Sequence, residues 1–132
     1  MSKVIYNGGL RTEAYHIQSG ISILTDAPVD NQGKGEAFSP TDLVSTALAS
    51  CMLTIMGIVA DRNDIELKGT TAEVEKIMGS APRKIDQINV NIFFLEKFDK
   101  KSKHKLESAA LTCPVSNSLN PSLKKSINFI YP

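Results

Sequence analysis

Cysteine is scarce in this chain: two in 132 residues. Two cysteines cannot make the disulfide framework of a small secreted domain. No Cys-x-x-Cys pair occurs, and the two histidines, His16 and His104, lie near neither Cys51 nor Cys113. Too few soft ligands remain for a zinc site, so none is expected. An excess of one charge is also missing. Fifteen Lys and Arg stand against fourteen Asp and Glu, a net charge of +1. A general nucleic-acid binder, or a protein held on an anionic membrane, usually carries a larger basic surplus. Neither partner is expected. Met1 to Leu10 holds one lysine and no apolar run, so it does not read as a secretory signal. The cytoplasm is the expected compartment, and there a cysteine pair is more often catalytic or redox-active than structural. Internal repeats and low-complexity tracts are absent too.

What is present is an ordinary globular composition, 42% apolar and 22% charged, which argues against disorder. A chain of this length makes one domain, residues 1–132, and buries roughly two-thirds of its unfolded surface. The first third reads as short strands. Arg11 to Ile17 and Ile21 to Thr25 are separated by Ser19-Gly20, and Val29 to Phe38 is a loop by composition. Gly33-Lys34-Gly35 lacks the spacing of a phosphate loop and reads as a flexible turn.

The pattern then changes. Ser39 suits a helix cap, Pro40 the first helical position, and Asp42 the acid of a capping box. Leu43 to Ala60 follows, 18 residues without a charge. That length touches the threshold for a membrane span. Ser45, Thr46, Ser50, Thr54 and Gly57 dilute it, and Asp42 and Asp61 close both ends, so a buried helix is the better reading. A helix apolar nearly all round must be wrapped by other elements or by a second subunit. Further on, Ile65 to Ile77 reads as turn and strand. Ile88, Val90, Ile92 and Phe94 alternate with polar residues as a half-buried strand does. Asp99 caps a second helix, with Leu106, Ala109, Ala110 and Cys113 on one stripe. Lys100, Lys101 and Lys103 crowd its first turn, where the macrodipole disfavours cations. Pro114 to about Leu119 is a short helix, and Ser126 to Tyr131 a last strand. The class is α+β.

Each candidate for chemistry has a plain alternative. Cys51 lies mid-helix with Leu48 and Ile55 on its face, as a core cysteine does. It becomes a reactive thiolate only if the fold brings it a cation. Cys113 precedes Pro114, at the start of a helix, where backbone N–H groups lower a thiol pKa. Taken alone, this local physics favours Cys113 as the nucleophile. Arg11, beside Glu13, reads locally as a solvated strand charge, and His16 and His104 read as surface residues.

Two stretches carry a resemblance. Ser39-Pro40-Thr41-Asp42-Leu43-Val44 with Ala47-Leu48-Ala49-Ser50-Cys51 resembles the first cysteine motif of the OsmC/Ohr family, the osmotically inducible and organic-hydroperoxide-resistance proteins. Cys113-Pro114-Val115-Ser116-Asn117-Ser118-Leu119 resembles the second. Order, spacing and the strand-rich first third fit over nearly the whole chain. The resemblance implies an OsmC-like fold: an intertwined homodimer with two long central helices packed against antiparallel sheets. It implies a thiol-dependent peroxidase in which Cys51 attacks an organic hydroperoxide and Cys113 resolves the sulfenic acid as a disulfide. Arg11 is the candidate for the family's arginine, and an external dithiol reductant, lipoyl-type or a small thiol, replaces any cofactor. In the hydroperoxide-resistance branch a Glu directly follows the Pro, where this chain has Thr41. Asp42 comes one position later, about 100° round the helix, and is placed to cap rather than to hold an arginine. The chain is therefore closer to the general OsmC-like branch. Leu48, Met52, Ile55 and Met56 would give Cys51 an apolar surround, although the methionines read first as core. The alternatives are a non-catalytic redox sensor or small-molecule binding module with the same cysteines, or a structural dimer with inert ones.

Overall fold

Three strands open the chain: β1 (Ser2–Gly8), β2 (Arg11–His16) and β3 (Ser22–Asp26). The computed structural model describes residues 1–132, in two compact units, Met1–Val44 and Ser45–Pro132. In the first unit the three strands form an antiparallel sheet in the order β1-β2-β3. A register of Arg11 opposite Asp26 and Tyr15 opposite Ser22 sets the second pairing. This sheet buries almost no apolar side chain: Val4, Tyr6, Ile23 and Leu24 are all exposed. What it does bury is polar, at Thr25 and Asp26. The segment after β3 is not a flexible turn. A short 3-10 turn at Val29–Asn31 folds it back. The Gly33 N–H then donates to the Pro28 carbonyl at 2.9 Å, and the Gly35 N–H to the Ala27 carbonyl at 3.3 Å. A β-carbon on Gly33 would fall 1.6 Å from the Ala27 oxygen, so the glycine is there for close backbone approach rather than mobility.

The central helix α1 runs from Pro40 to Arg62. Its start is the capping box read from the sequence. The Asp42 N–H donates to Ser39 Oγ at 3.0 Å, and the Ser39 N–H donates to Asp42 Oδ2 at 2.9 Å. Its burial differs from the expectation. Ser45, Leu48, Ala49, Met52, Met56 and Ala60 form one buried stripe, while Val44 and Ile58 on the other side are exposed. Within one chain the helix is covered along a face, not all round.

In the second unit that stripe packs on a sheet of β4 (Thr71–Gly79), β5 (Lys84–Phe93) and β6 (Lys124–Ile130), in the order β4-β5-β6. Ile88, Val90 and Ile92 of β5 are fully buried against Leu48, Met52 and Met56, so both methionines are core. β4 and β5 pair antiparallel, but β6 pairs parallel to β5, making this sheet mixed. The reason lies in the connection. Two helices, α2 (Lys100–Leu111) and α3 (Pro114–Ser118), lie between β5 and β6, and a crossover of that kind returns the chain in the same direction.

Asp99 caps α2, accepting the Ser102 N–H at 2.7 Å. Of the lysines in its first turn, costly for the helix, Lys103 finds a partner elsewhere: its ammonium lies 4.3 Å over the Tyr131 ring. In the next turn Lys105 donates to Asn63. Leu106 and Ala110 are buried, and Cys113 follows α2 rather than lying in it.

Met52→Ala is expected to lower stability by about 2–5 kcal/mol, the usual cost of a cavity in a closed core, read as a lower urea midpoint at unchanged m-value. A loss below about 1 kcal/mol would mean the α1 stripe is not packed on β5 as described.

Candidate functional site

The chain's nucleophiles come together in the second unit. Cys51 sits at the margin of the buried stripe of α1, three residues after Leu48 and one before Met52, and is half-buried. Cys113 is fully buried. Both are free thiols, and they lie close enough for Cys51 to raise the Cys113 pKa. Helix rotation explains the placing of the first. Leu48 and Met52 must face β5, so Cys51, about 60° round the helix from Leu48 and about 100° from Met52, lies at the edge of the packed face, open on one side.

Cys113 is the N-cap of α3, with extended backbone and Pro114 at the first helical position. Its Sγ accepts the Ser116 N–H at 3.4 Å. The sequence expectation of N–H groups at this sulfur is met, yet the conclusion drawn from it is reversed. Burial pushes the Cys113 thiol above its ordinary value, and Cys51 adds to the rise through its hydrogen bond and its charge. The N–H groups of Ser116 and Val115 pull the other way and do not overcome it. An ionised thiol with no water around it loses its solvation, and two N–H bonds replace only part of that. Cys113 is thus a dry thiol that resists ionisation, and Cys51 is the sulfur with a route to solvent.

Arg11 belongs to the first unit and is not a solvated strand charge. Its Nε donates to Asp26 Oδ1 at 2.7 Å and its Nη2 to Asp26 Oδ2 at 2.8 Å, a bidentate pair. Nη2 also donates to Glu36 Oε2 at 3.1 Å. Asp26 is 1% exposed while the Arg11 side chain is 28% exposed. The Glu36 N–H donates to Asp26 Oδ2 at 3.1 Å. These bonds hold the guanidinium charged, through Asp26 first and then Glu36. Arg11's hydrogen bonds are the largest influence on Asp26 and keep it below the usual carboxylate range, against the opposing effect of burial. Asp26 and Glu36 were missed from sequence. The signal was the β2–β3 register, which sets Arg11 opposite Asp26. Arg11 is held by Asp26 and Glu36, while Asp42 caps α1. His16 bonds only locally, to Ser19. No group of three or more His, Cys, Asp and Glu side chains is arranged to hold a metal.

Comparison with known proteins relates the chain to a family. The model of the OsmC-like protein family matches residues 33–128. A solved structure from Psychrobacter arcticus 273-4, provisionally described as an osmotic stress induced and detoxification response protein, is 52% identical with a TM-score of 0.94. The match covers 97% of this chain and 93% of that one. The organic hydroperoxide resistance protein OsmC of Legionella pneumophila is similar at 16% identity and a TM-score of 0.78, covering 98% and 95% of the two chains. An OsmC like protein of Mycoplasma pneumoniae is similar at 17% identity and a TM-score of 0.79, covering 100% and 94%. At those identities the last two establish the fold alone. No curated protein matches the chain.

The Arg11–Asp26 pair gives a pH prediction. Asp26 has a lower pKa folded than unfolded. Its contribution to stability is therefore complete above the ordinary aspartate value, about 3.9, and is lost as pH falls through the folded value. Carboxyl-carbon NMR should show Asp26 titrating below the ordinary range, and Arg11→Met should move it up. An Asp26 midpoint at the ordinary value would remove the pair from the account.

Proposed function

The chain belongs to the OsmC-like protein family, and on that premise we propose that it is a thiol-dependent peroxidase that reduces organic hydroperoxides with Cys51 and resolves the product with Cys113. One observation carries the reading: two free cysteines close to each other, one half-buried and one fully buried. A peroxide must reach the first sulfur, and the second must be adjacent but protected. The proposed chemistry balances without a metal or organic cofactor. The Cys51 thiolate attacks one peroxide oxygen, the O–O bond breaks, and the alkoxide leaves and takes a proton as an alcohol. The resulting sulfenic acid meets Cys113. Its sulfur attacks that of Cys51, the S–O bond breaks, and hydroxide leaves with the Cys113 proton as water. An external dithiol, lipoyl-type or a small thiol, then reduces the disulfide by exchange and is itself oxidised. The dry, proton-holding thiol suits the resolving role, since it does not compete with Cys51 for peroxide.

Arg11 is the proposed guanidinium of the reaction. A permanently charged, doubly braced arginine is suited to stabilise a thiolate and to polarise an O–O bond. We also propose that residues 1–132 act as one domain, working in the cytoplasm as a homodimer. Two surfaces support the dimer. The first sheet leaves Val4, Tyr6, Ile23 and Leu24 uncovered. A small sheet without a covered apolar face is not stable alone. In the second unit α1 and β4 wall an open groove of about 440 Å³ lined by small side chains such as Ala49, Ser50 and Ala72. Exposed apolar side chains of this kind suit an association surface.

Single-turnover oxidation by an organic hydroperoxide tests the cysteine roles. Cys113→Ser should form a sulfenic acid at Cys51 and then overoxidise, because nothing resolves it. Cys51→Ser should not react. Reaction of Cys51→Ser at the wild-type rate, at Cys113, would reverse the roles. Arg11→Ala should slow the first step by roughly 10-fold or more, the scale of a lost charge contact. An unchanged rate would remove Arg11 from the mechanism. Sedimentation at micromolar concentration should give twice the chain mass of 14.4 kDa, and a stable monomer would refute the homodimer.

A further inference from the structure

Lys125 lies on β6 opposite Ile88 of β5 and is half-buried. Its Nζ donates to the Ser116 carbonyl at 3.0 Å and to Ser116 Oγ at 3.0 Å. Ser116 is 6% exposed, and its own N–H donates to Cys113 Sγ. One buried residue therefore holds the ammonium by two oxygens and the thiol by its nitrogen. The helix that carries it, α3, has five residues. A helix this short has too few bonds of its own to fix its geometry. The Ser116 carbonyl lies in the last turn, where carbonyls lack helical partners and the partial charge is negative. A cation there satisfies the oxygen and matches its sign. An ammonium has only donors, so both Ser116 oxygens act as acceptors and the residue is fixed from one side.

We propose that Lys125 is a positioning residue for Cys113: through Ser116 it keeps an N–H on Sγ, and so governs how readily this buried thiol gives up its proton when it attacks the oxidised Cys51. The inference rests on the resolving role proposed above. It concerns the second step alone, in which the S–S bond forms, the S–O bond of the sulfenic acid breaks, and the Cys113 proton leaves in water. The groups that face Cys113 are Cys51 from α1 and the N–H groups of Val115 and Ser116 from α3. Lys125 comes from β6 and acts through Ser116 rather than by touching sulfur. Burial opposes the Cys113 thiolate, and these N–H bonds are what favours it. Loosening the Ser116 N–H should therefore be felt directly at Cys113.

The first readout needs no peroxide. In a Cys51→Ser background Cys113 is the sole thiol, and its ultraviolet thiolate absorbance can be followed against pH. Lys125→Met should move the midpoint up, so that the thiolate fraction at a fixed pH below it falls about 3- to 10-fold. That is less than direct contact with a charge would give. Lys125→Arg, which can donate to both Ser116 oxygens, should restore most of the original midpoint. Lys125→Gln, neutral and one atom shorter, carries the test if Lys125→Met does not fold. An unmoved midpoint in either folded variant overturns the proposal, and so does a shift that Lys125→Arg fails to restore. The second readout uses the two-cysteine protein. After one equivalent of organic hydroperoxide, sulfenic acid formation should be unchanged in Lys125→Met. Disulfide formation should slow about 3- to 10-fold, with more sulfinic acid accumulating. Equal slowing of both steps overturns the proposal. If the unaltered protein forms no Cys51–Cys113 disulfide, the resolving role itself fails, and the thiolate titration still decides whether Lys125 controls Cys113.

Discussion

The seating of one stripe of α1 on β5 is the contact from which the rest follows. Leu48, Met52 and Met56 have no exposure against Ile88, Val90 and Ile92, which have none either. Six fully buried side chains of this size contribute on the order of 10 kcal/mol from area alone. That is enough to fix the rotation of α1 about its own axis. The rotation then decides the fate of Cys51. One turn of the wheel inward and it would be a dry core cysteine; one turn outward and it would lie far from Cys113. At the margin it meets both solvent and the second thiol. Leu106 and Ala110 of α2 complete the same core, which brings the end of that helix, and Cys113 just after it, to the edge where Cys51 waits.

The two cysteines show where local reasoning stops. Cys113-Pro114 correctly announces a helix start, and the N–H bond to Sγ is there. What the dipeptide does not carry is the environment. The elements that bury Cys113 lie far from it in sequence, and burial outweighs the N–H groups. A helix terminus contributes about 0.3–1 kcal/mol to a nearby charge, while loss of solvation around an ionised group is several times larger. The family motifs pointed to Cys51 and local physics to Cys113. The observed burial removes the conflict by taking away the advantage that local physics assigned.

Other features divide along the same line. The capping box of α1, the alternation of Ile88, Val90 and Ile92, and the cap at Asp99 were all legible, because each is decided within a few residues. Asp26 was not. It lies fifteen positions from Arg11 and meets it only because the β2–β3 register sets them opposite each other. Punctuation at Ser19-Gly20 marks a turn without fixing that register. Lys103 in the first turn of α2 made no sense locally, since its partner Tyr131 comes from a distant part of the chain. The uncharged run from Leu43 to Ala60 was legible as a helix needing cover. Which of its faces the chain covers depended on where β5 runs.

Chain direction in the second sheet ties the last pieces together. A hairpin after β5 would have brought the next strand back antiparallel within a few residues. The chain instead makes α2 and α3 first, so β6 returns parallel to β5. The crossover does two things at once. It carries Cys113 to the start of a short helix over the core, and it lays the following strand beside that helix with Lys125 facing Ser116. A five-residue helix at the end of a long excursion would otherwise be the least constrained part of the second unit. Its N-terminus is held by Cys113 and its last turn by a lysine from the strand it leads into. The segment that carries the buried thiol is therefore clamped by the connection that created it.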